Sequence, residues 1–403
     1  MDPTVEAIRG AIGERRDEMA RLLSELVRVR NENPPGRDYH AGLAVVARRL
    51  KALGLEPRIE PVPGAQGEHP RFWLASEWGD GEKAVYFHGH IDVVPAQDPS
   101  QFEPQVTEDT VFGRGSTDMK GGLVSMIYAI QALQDSAIRL RGRIALRVVP
   151  DEETGGAFGS RALCDRGLLF GGDACAMLTA EPTGGVLWNA SRGALTYRLR
   201  VRGRTSHVGL SYRGVNAFER SFPLLQALTK IKEEVETRVT DHPLEPSGAR
   251  RSILMMGGEV QGERNFNVVP ETFGFTVDRR LNPEEDFEEE KRRLLEVFDA
   301  ARAQGVDLEV ECIQEARPAR GDAEDRAARV VAGSIAAVTG VSPRLELCPG
   351  ILEIRFYAEK GVPAFAYGPG LLSVAHGPNE FVKRRDLEEC AAVYAVAALR
   401  LVS

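Results

Sequence analysis

Residues 84–95 read AVYFHGHIDVVP, an apolar run that passes directly into two histidines and an aspartate. The apolar residues at 84–87 predict a strand that is buried on both faces. Because successive side chains of a strand alternate between its faces, His88, His90 and Asp92 should project to the same side. A metal-bound histidine commonly gives its other ring proton to a carboxylate, so His90 and Asp92 are a candidate ligand and its orienting partner. A buried His–Asp pair without metal is the alternative, and His88 is expected to support the site or to be structural.

The segments around this strand predict an α/β fold. A β-branched run at 144–149 predicts a second buried strand, and apolar residues recur at helical spacing over 4–30, 39–53 and 123–133. This alternation of strands and helices implies a mixed, largely parallel sheet flanked by helices. Ligands of such sheets bind beyond the carboxyl ends of the strands, where several acidic and histidine motifs of this chain lie.

The middle of the chain has a different pattern. The strands and helices predicted between residues 192 and 314 follow the order βαββαβ, which is that of a ferredoxin-like unit. At 403 residues the chain is too long for one ordinary core, so two domains are expected. We therefore predict an inserted ferredoxin-like domain at 192–314, between two parts of a catalytic domain at 1–191 and 315–403.

The composition argues against several classes of protein. Apolar residues make up 43% of the chain and charged residues 27%, as in globular domains. The net charge of −8 argues against nucleic acid or an anionic membrane as a partner. The first residues lack the apolar core of a secretory signal, and no stretch has the length of a membrane span. Because the five cysteines form no CxxC pair, we expect reduced thiols and a cytoplasmic protein.

Further motifs carry side chains that bind divalent metals. Asp118 lies in a glycine-rich stretch, where glycine permits the close backbone approach that aims a side chain into a site. Glu152 and Glu153 follow the second predicted strand, and such a pair can divide metal binding and proton transfer between its members. Two further motifs, at 181–182 and 375–376, supply Glu181 and His376. Each motif alone has an ordinary alternative, such as a tight turn or a solvated acidic pair, but together they predict metal-assisted hydrolysis.

In combination and in this order, the motifs resemble the zinc-dependent amidohydrolase and metallopeptidase family of acetylornithine deacetylase, succinyl-diaminopimelate desuccinylase, aminoacylase and related carboxypeptidases and dipeptidases. The motifs are GHIDVVP at 89–95, GRGSTDMKGG at 113–122, DEE at 151–153, EP at 181–182, SH at 206–207 and AH at 375–376. The resemblance covers nearly the whole chain. It implies a binuclear-zinc exopeptidase-like catalytic domain with an inserted lid and dimerisation domain.

The resemblance also implies a ligand set for two divalent metal ions. His90 and Glu181 would hold one ion, Glu153 and His376 the other, and Asp118 would bridge them. Zinc is the expected metal, with cobalt and manganese as alternatives that the same ligand types accept. The ligand charges leave one positive charge, which a bridging hydroxide would neutralise.

The catalytic roles follow from the same resemblance. Glu152 would be the general acid/base, and Asp92 would orient the first histidine ligand. His207 of the insert would stabilise the oxyanion, often across a dimer interface, so we expect a homodimer through the inserted domain. A donor aimed at developing negative charge contributes several kcal/mol in a dry site.

Substrate contacts are implied at Asn267 and Arg280, and we add Arg192 and Gly350 to this group. An arginine suits a substrate carboxylate because it binds both oxygens at once; a surface ion pair is the alternative for Arg280. The chain departs from its relatives at Leu352 and Glu353, where many of them carry a small hydroxyl and an aspartate. This departure predicts that an apolar side chain replaces a polar substrate anchor.

These observations predict a metal-dependent hydrolase that cleaves the amide bond of a small N-acyl amino acid or related amide, with metal-bound hydroxide as nucleophile. A dipeptidase or carboxypeptidase on the same site is the alternative, as is C–N hydrolysis of an unusual non-peptide substrate, such as an amino group on an aromatic ring. A metal-binding protein without catalysis would be expected to have lost Glu152 or a ligand, and this chain retains all of them.

Overall fold

The computed structural model describes residues 2–65 and 68–403 and divides into two compact units. The first unit comprises Met1–Asn189, Gly321–Glu346 and Glu353–Ser403, and the second comprises Ala190–Arg320 and Leu347–Leu352. The second unit contains the whole segment predicted as an insert, and it extends beyond the predicted boundary at 314.

The helices are built mainly on amphipathic or fully apolar segments. In chain order they are α1 (Pro3–Gly13), α2 (Arg16–Val27), α3 (Tyr39–Ala52), α4 (Lys120–Asp135), α5 (Ala162–Asp165), α6 (Ala217–Arg220), α7 (Phe222–Val235), α8 (Phe287–Ala303), α9 (Arg326–Thr339), α10 (Ile354–Ala358) and α11 (Arg384–Leu401). The helical pattern predicted over 4–30 therefore forms two helices rather than one. The first ends at Gly13, a residue with poor helix propensity.

The strands in the described part of the chain fall into four sheets. In chain order they are β1 (Arg58–Pro61), β2 (Phe72–Gly79), β3 (Ala84–His90), β4 (Gln105–Val106), β5 (Thr110–Phe112), β6 (Arg143–Val149), β7 (Ala174–Pro182), β8 (Leu187–Ser191), β9 (Gly193–Arg202), β10 (Ser206–His207), β11 (Ile253–Gln261), β12 (Val268–Val269), β13 (Thr272–Leu281), β14 (Asp307–Ala316), β15 (Leu345–Cys348), β16 (Ala364–Gly368) and β17 (Phe381–Lys383). Two small sheets have the orders β10-β12 and β17-β5-β4.

The largest sheet has eight strands in the order β1-β2-β6-β3-β7-β16-β8-β15. Its centre is parallel, because β3 pairs in parallel with β6 and β7, and β7 pairs in parallel with β16. The pairs β1–β2, β2–β6 and β16–β8 are antiparallel. The predicted mixed sheet with a parallel centre and flanking helices is thereby confirmed.

Burial explains the continuous apolar sequence of the central strand. Every residue of β3 is buried, and α4 is buried from Lys120 to Leu133. Helix α11 buries most of its length in the same hydrophobic core. Burial of apolar surface contributes about 25 cal/mol per Å², so this core fixes the strand whose end carries His90.

The second unit contains an antiparallel sheet of four strands in the order β11-β13-β9-β14. Its elements β9, α7, β11, β13, α8 and β14 follow the predicted βαββαβ order. Leu224, Leu228, Leu294 and Phe298 of α7 and α8 belong to one buried cluster with side chains of this sheet. The lid and dimerisation roles predicted for this region stay predictions.

Two further features bear on the expected setting of the protein. None of the helices in the described part of the chain combines the length and the apolar character needed to cross a membrane. The five cysteines are free thiols, of which Cys164, Cys348 and Cys390 are buried.

Candidate metal centre

Four neighbouring strands of the large sheet bring acidic or histidine side chains to one edge. His90 is the last residue of β3, and Glu181 lies one residue before the end of β7. Glu152 and Glu153 belong to a short 3₁₀ turn after β6, and His376 follows β16. These strands are parallel, so the segments that leave their carboxyl ends meet at the same edge.

Asp118 lies between the two histidines. Its Oδ1 is 3.2 Å from Nε2 of His90, and its Oδ2 is 3.2 Å from Nε2 of His376. The backbone at this position is held by Glu380, whose Oε1 accepts the N–H groups of Thr117 at 3.0 Å and of Asp118 at 3.1 Å. One carboxylate therefore presents a different oxygen to each histidine.

Two groups among the described residues have the spacing of metal-ligand sets. They are His90, Asp118 and Glu181, and Asp118, Glu153 and His376, with the candidate ligand atoms of each group within 4.8 Å of one another. Glu181 Oε1 is 3.7 Å from His90 Nε2, and Glu153 Oε2 is 3.2 Å from His376 Nε2. Imidazole nitrogen and carboxylate oxygen are donors that zinc and similar ions prefer. The donor set therefore fits two divalent ions that share Asp118, and the role of each residue as a ligand stays a prediction.

The carboxylate of Asp92 holds the turn that carries the two adjacent glutamates. Its Oδ1 accepts the N–H of Glu152 at 3.3 Å, and its Oδ2 accepts the N–H of Glu153 at 3.1 Å. The ring Nδ1 of His90 lies 3.0 Å from the backbone carbonyl oxygen of Asp92 and 3.8 Å from Oδ1. The carbonyl is thus the nearer partner of the ring. Asn33, which no sequence pattern indicated, donates to Asp92 Oδ2 at 2.9 Å.

Glu152 lies beside the two ligand sets and belongs to neither. Its Oε2 is 3.9 Å from Nε2 of His90. Burial raises the pKa of Glu152 well above its usual range, and the neighbouring charge of Glu153 adds to this rise against the opposing effect of His90. A carboxyl group with a raised pKa can accept and release a proton near neutral pH.

The site crowds negative charge around its centre. Burial and the charge of Asp118 raise the pKa of Glu181 well above its usual range, and they raise the pKa of Glu153 to about 6. Hydrogen bonds to Asp118 and Glu153 raise the pKa of His376 to about 10. The carboxylates thus repel one another and draw protons to the histidines, which is the electrostatic setting that divalent cations would relieve.

A buried ion pair joins the loop of Asp118 to the loop of His376. Arg114 Nη1 lies 2.6 Å from Glu380 Oε2, and both side chains are excluded from solvent. Arg114 Nη2 also donates to the carbonyl oxygen of His376 at 3.2 Å. Neither Arg114 nor Glu380 was predicted as a site residue, because 266 positions separate them and only the folded chain brings them together.

The two positions at which the chain departs from its relatives are both buried. Glu353 Oε2 lies 2.6 Å from Nε2 of His88, and the hydroxyl of Tyr357 lies 3.2 Å from Nδ1 of the same ring. Leu352 is 4% exposed. The carboxylate of Glu353 therefore contacts His88, which lies on the strand that ends in His90.

The predicted residues of the insert lie in the second unit. His207 is exposed, and its Nδ1 accepts the N–H of Gly209 at 3.1 Å. Because Nδ1 is an acceptor, a neutral ring carries its proton on Nε2. The carbonyl oxygen of Asn267 accepts the N–H of Val208 at 2.9 Å, which places Asn267 close to this histidine in the chain's fold.

The guanidinium groups predicted to bind substrate already have partners in the second unit. Arg280 Nη2 lies 2.9 Å from Asp278 Oδ2. Arg192 is buried and donates through Nη2 to the carbonyl oxygen of Arg251 at 2.8 Å, and its backbone N–H donates to the carbonyl oxygen of Gly350 at 3.1 Å. The substrate contacts of these residues stay predictions.

Known proteins share this architecture. The model of the peptidase family M20/M25/M40 matches residues 86–400. The succinyl-diaminopimelate desuccinylase of Thioalkalivibrio sulfidiphilus (strain HL-EbGR7) is 28% identical over 396 residues, which cover 94% of this chain and 98% of the relative. The di-peptidase Dug1p of Saccharomyces cerevisiae aligns in structure with a TM-score of 0.80 at 16% identity, over 100% of this chain and 99% of its own. The YXEP protein of Bacillus subtilis, a dinuclear metal binding peptidase from the M20 family, aligns with a TM-score of 0.66 at 15% identity, over 96% and 98%.

These matches confirm the family resemblance seen in the motifs, and they confirm the predicted class of reaction, metal-dependent hydrolysis of an amide bond. The structural matches show the fold alone. The identity of the metal, the dimer, the compartment and the roles of individual residues stay predictions.

Proposed function

Because the chain belongs to the peptidase family M20/M25/M40, we propose that it hydrolyses the amide bond of a small N-acyl amino acid and releases the acyl group. The observation that carries this proposal is the arrangement around Asp118, where two donor sets share one carboxylate and Glu152 stands beside both. A deacylase is favoured because the relative that is 28% identical over nearly the whole chain is a desuccinylase.

We propose zinc as the native metal, with cobalt and manganese as alternatives. His90, Asp118 and Glu181 would hold one ion, and Asp118, Glu153 and His376 would hold the other. When bound, two divalent ions lower the pKa of water and polarise a substrate carbonyl.

Glu152 would move the proton. It would accept one from the attacking water and deliver it to the nitrogen of the leaving amine. Its raised pKa favours uptake of this proton compared with an ordinary exposed glutamate. The backbone N–H of Glu152 donates to Asp92, and this hydrogen bond holds the backbone from which the side chain extends. Asp92 would therefore orient Glu152 as well as His90.

The second unit would supply donors to the substrate. His207 carries its ring proton on Nε2 when neutral, so it can donate to an oxyanion, and a donor of this kind contributes several kcal/mol to catalysis. Asn267 would add a polar contact. Arg280 would bind a substrate carboxylate after exchanging its partner Asp278, and Arg192 would hold the backbone at Gly350.

The second unit would also join two copies of the chain. Strand β11 is at the edge of its sheet, and Ile253, Met255 and Val260 are exposed along it. An edge strand offers unpaired N–H and C=O groups for pairing with another strand. Sedimentation equilibrium should give a homodimer, and Val260→Lys should shift the protein toward the monomer.

We place this enzyme in a reducing compartment, the cytoplasm. The support is its five free cysteines, which form no disulfide. Fractionation of its source cells would test this proposal, and the protein should be recovered in the cytoplasmic fraction.

The first test is metal-dependent amine release from a panel of N-acyl amino acids and dipeptides, assayed before chelation, after chelation and after zinc return. Preferential cleavage of an N-acyl amino acid that disappears and recovers would support the proposal. Preferential cleavage of dipeptides would instead make the protein a dipeptidase. Silence across the panel, with about two metals bound per chain, would contradict the deacylase and direct the search to unusual C–N substrates.

A further inference from the structure

The segment at the start of α10 contacts two elements of the metal centre at once. Glu353 is 2% exposed and lies immediately before this helix. Its Oε2 is 2.6 Å from Nε2 of His88, which lies on β3 two residues before His90. Tyr357, one turn further along α10, lies 3.2 Å from the other ring nitrogen of His88. The ring of His88 is thus held between two side chains of one segment.

The same segment supports the turn that carries Glu152. Gly156 follows this turn, next to its C-cap Gly155, and has a φ of 72°; a Cβ at Gly156 would come within 2.9 Å of Oε1 of Glu353. Arg355 Nη2 donates to the carbonyl oxygen of Gly155 at 2.8 Å. Arg355 therefore holds the backbone of the turn, and the carboxylate of Glu353 lies close to it where Gly156 has no side chain.

The length of the glutamate decides this contact. An aspartate at position 353 would be shorter by one carbon–carbon bond, roughly 1.5 Å. It could not keep the hydrogen bond to His88 from the same backbone position. Where many relatives carry an aspartate, this chain has a longer glutamate, and its carboxylate reaches His88 on β3.

We propose that Glu353 is a positioning residue for Glu152. Through His88 on one side and Gly156 on the other, it holds the turn of Glu152 against the strand that ends in His90. This inference rests on the proposed role of Glu152 in proton transfer. The carboxylate of Glu353 is buried against protein groups, so it acts on the turn rather than on the substrate.

The test measures kcat, KM and metal content for Glu353→Gln, Glu353→Asp and Glu353→Ala, each alone and combined with Glu152→Gln. In the wild-type background, Glu353→Ala should lower kcat by about 10- to 100-fold, as for other groups that orient site residues, with KM and metal content nearly unchanged. Glu353→Gln keeps the reach to His88 and should be the mildest change, with Glu353→Asp between the two. Glu359→Gln, at the far end of the same helix, is the matched control and should retain wild-type kcat.

The combined variants separate positioning from general support. If Glu353 acts through Glu152, its removal should cost almost nothing further in the Glu152→Gln background, because coupled residues are non-additive. An equal loss in both backgrounds, or a loss of bound metal, would overturn the inference. If Glu353→Ala does not fold, the kcat values of the Gln and Asp variants decide, and Glu353→Asp should be the slower of the two. Full turnover in Glu152→Gln alone would instead defeat the proposed function, so the two failures are distinguishable.

Discussion

Each unit of the protein buries a cluster of charged side chains, and the two clusters differ in balance. In the second unit, Arg238 and Arg279 face Glu285 and Glu290. Arg279 is fully buried and lies 2.9 Å from Glu290. Burial alone would raise the pKa of Glu290, but hydrogen bonds from the two arginines lower it to about 2. This arginine–glutamate network satisfies its own charges.

The carboxylates of the candidate metal centre in the first unit lack this balance of charge. Burial and like charge raise the pKa of Glu152 and Glu181 well above their usual range. A balanced buried network holds a fold together, whereas a crowded anionic one is completed by cations. We therefore expect chemistry at the first cluster and a structural role for the second.

Metal removal should produce the largest difference between the clusters. Chelation should abolish turnover and lower the thermal transition of the first unit, because bound ions stabilise only the folded state. Trp73, Trp78 and Trp188 all lie in the first unit, so tryptophan fluorescence reports its unfolding. Hydrogen exchange of α8 should be unchanged by chelation. Equal destabilisation of the two units would contradict the difference between the two clusters.

Neutralising one glutamate of the metal centre should be nearly as large in its effect on turnover. Glu152→Gln should lower kcat by roughly 10²- to 10⁴-fold, the range for a general acid/base, while metal content stays at the wild-type level. Glu153→Gln is the contrasting variant and should lose metal as well as turnover. Both are measured by steady-state kinetics and elemental analysis. A Glu152→Gln enzyme within tenfold of wild type would contradict the assignment.

Breaking the balanced network should affect stability and not chemistry. Arg279→Met should destabilise the second unit by about 3 kcal/mol, because it leaves buried carboxylates short of a positive partner. Arg292→Met is the control, since its ion pair with Glu289 lies on the exposed face of α8. That change should stay within about 0.5 kcal/mol. Hydrogen exchange of β13 and α8 measures both variants, and equal losses would remove the distinction between buried and exposed pairs.

The candidate ligand residues could be named from the sequence because each lies at a strand end or in a short motif, and the motifs together carry the family resemblance; their roles as ligands stay predictions. Parallel strands bring their carboxyl ends together, so local patterns at 90, 118, 153 and 181 were enough to expect one site. The βαββαβ order of the second unit likewise follows from local periodicity.

The supporting contacts could not be predicted, because they join residues far apart in the chain. Glu380 holds the backbone of Asp118 from 262 positions away, and Glu353 meets His88 across 265 positions. No periodicity or spacing encodes such pairs. The motif predicted the carboxylate of Asp92 as the partner of the His90 ring, but the folded backbone brings the carbonyl oxygen of Asp92 closer to Nδ1, at 3.0 Å against 3.8 Å for the carboxylate.

The smallest expected effect is the pH dependence of the contribution that Glu290 makes to stability. Glu290 has its folded-state pKa lowered to about 2 from an ordinary value of 4.5, so its stabilising contribution is complete above pH 4.5 and is lost as the pH falls toward 2. Wild type and Glu290→Gln should therefore differ in the protection of α8 amides at pH 6, and the difference should narrow below pH 4.5. Measuring both proteins after chelation removes any contribution from metal release at acid pH. Comparing them at the same pH cancels the intrinsic exchange rate. A difference that stays constant from pH 6 to pH 3 would show that Glu290 contributes through packing rather than charge, and the network would then not be the balanced counterpart of the metal centre.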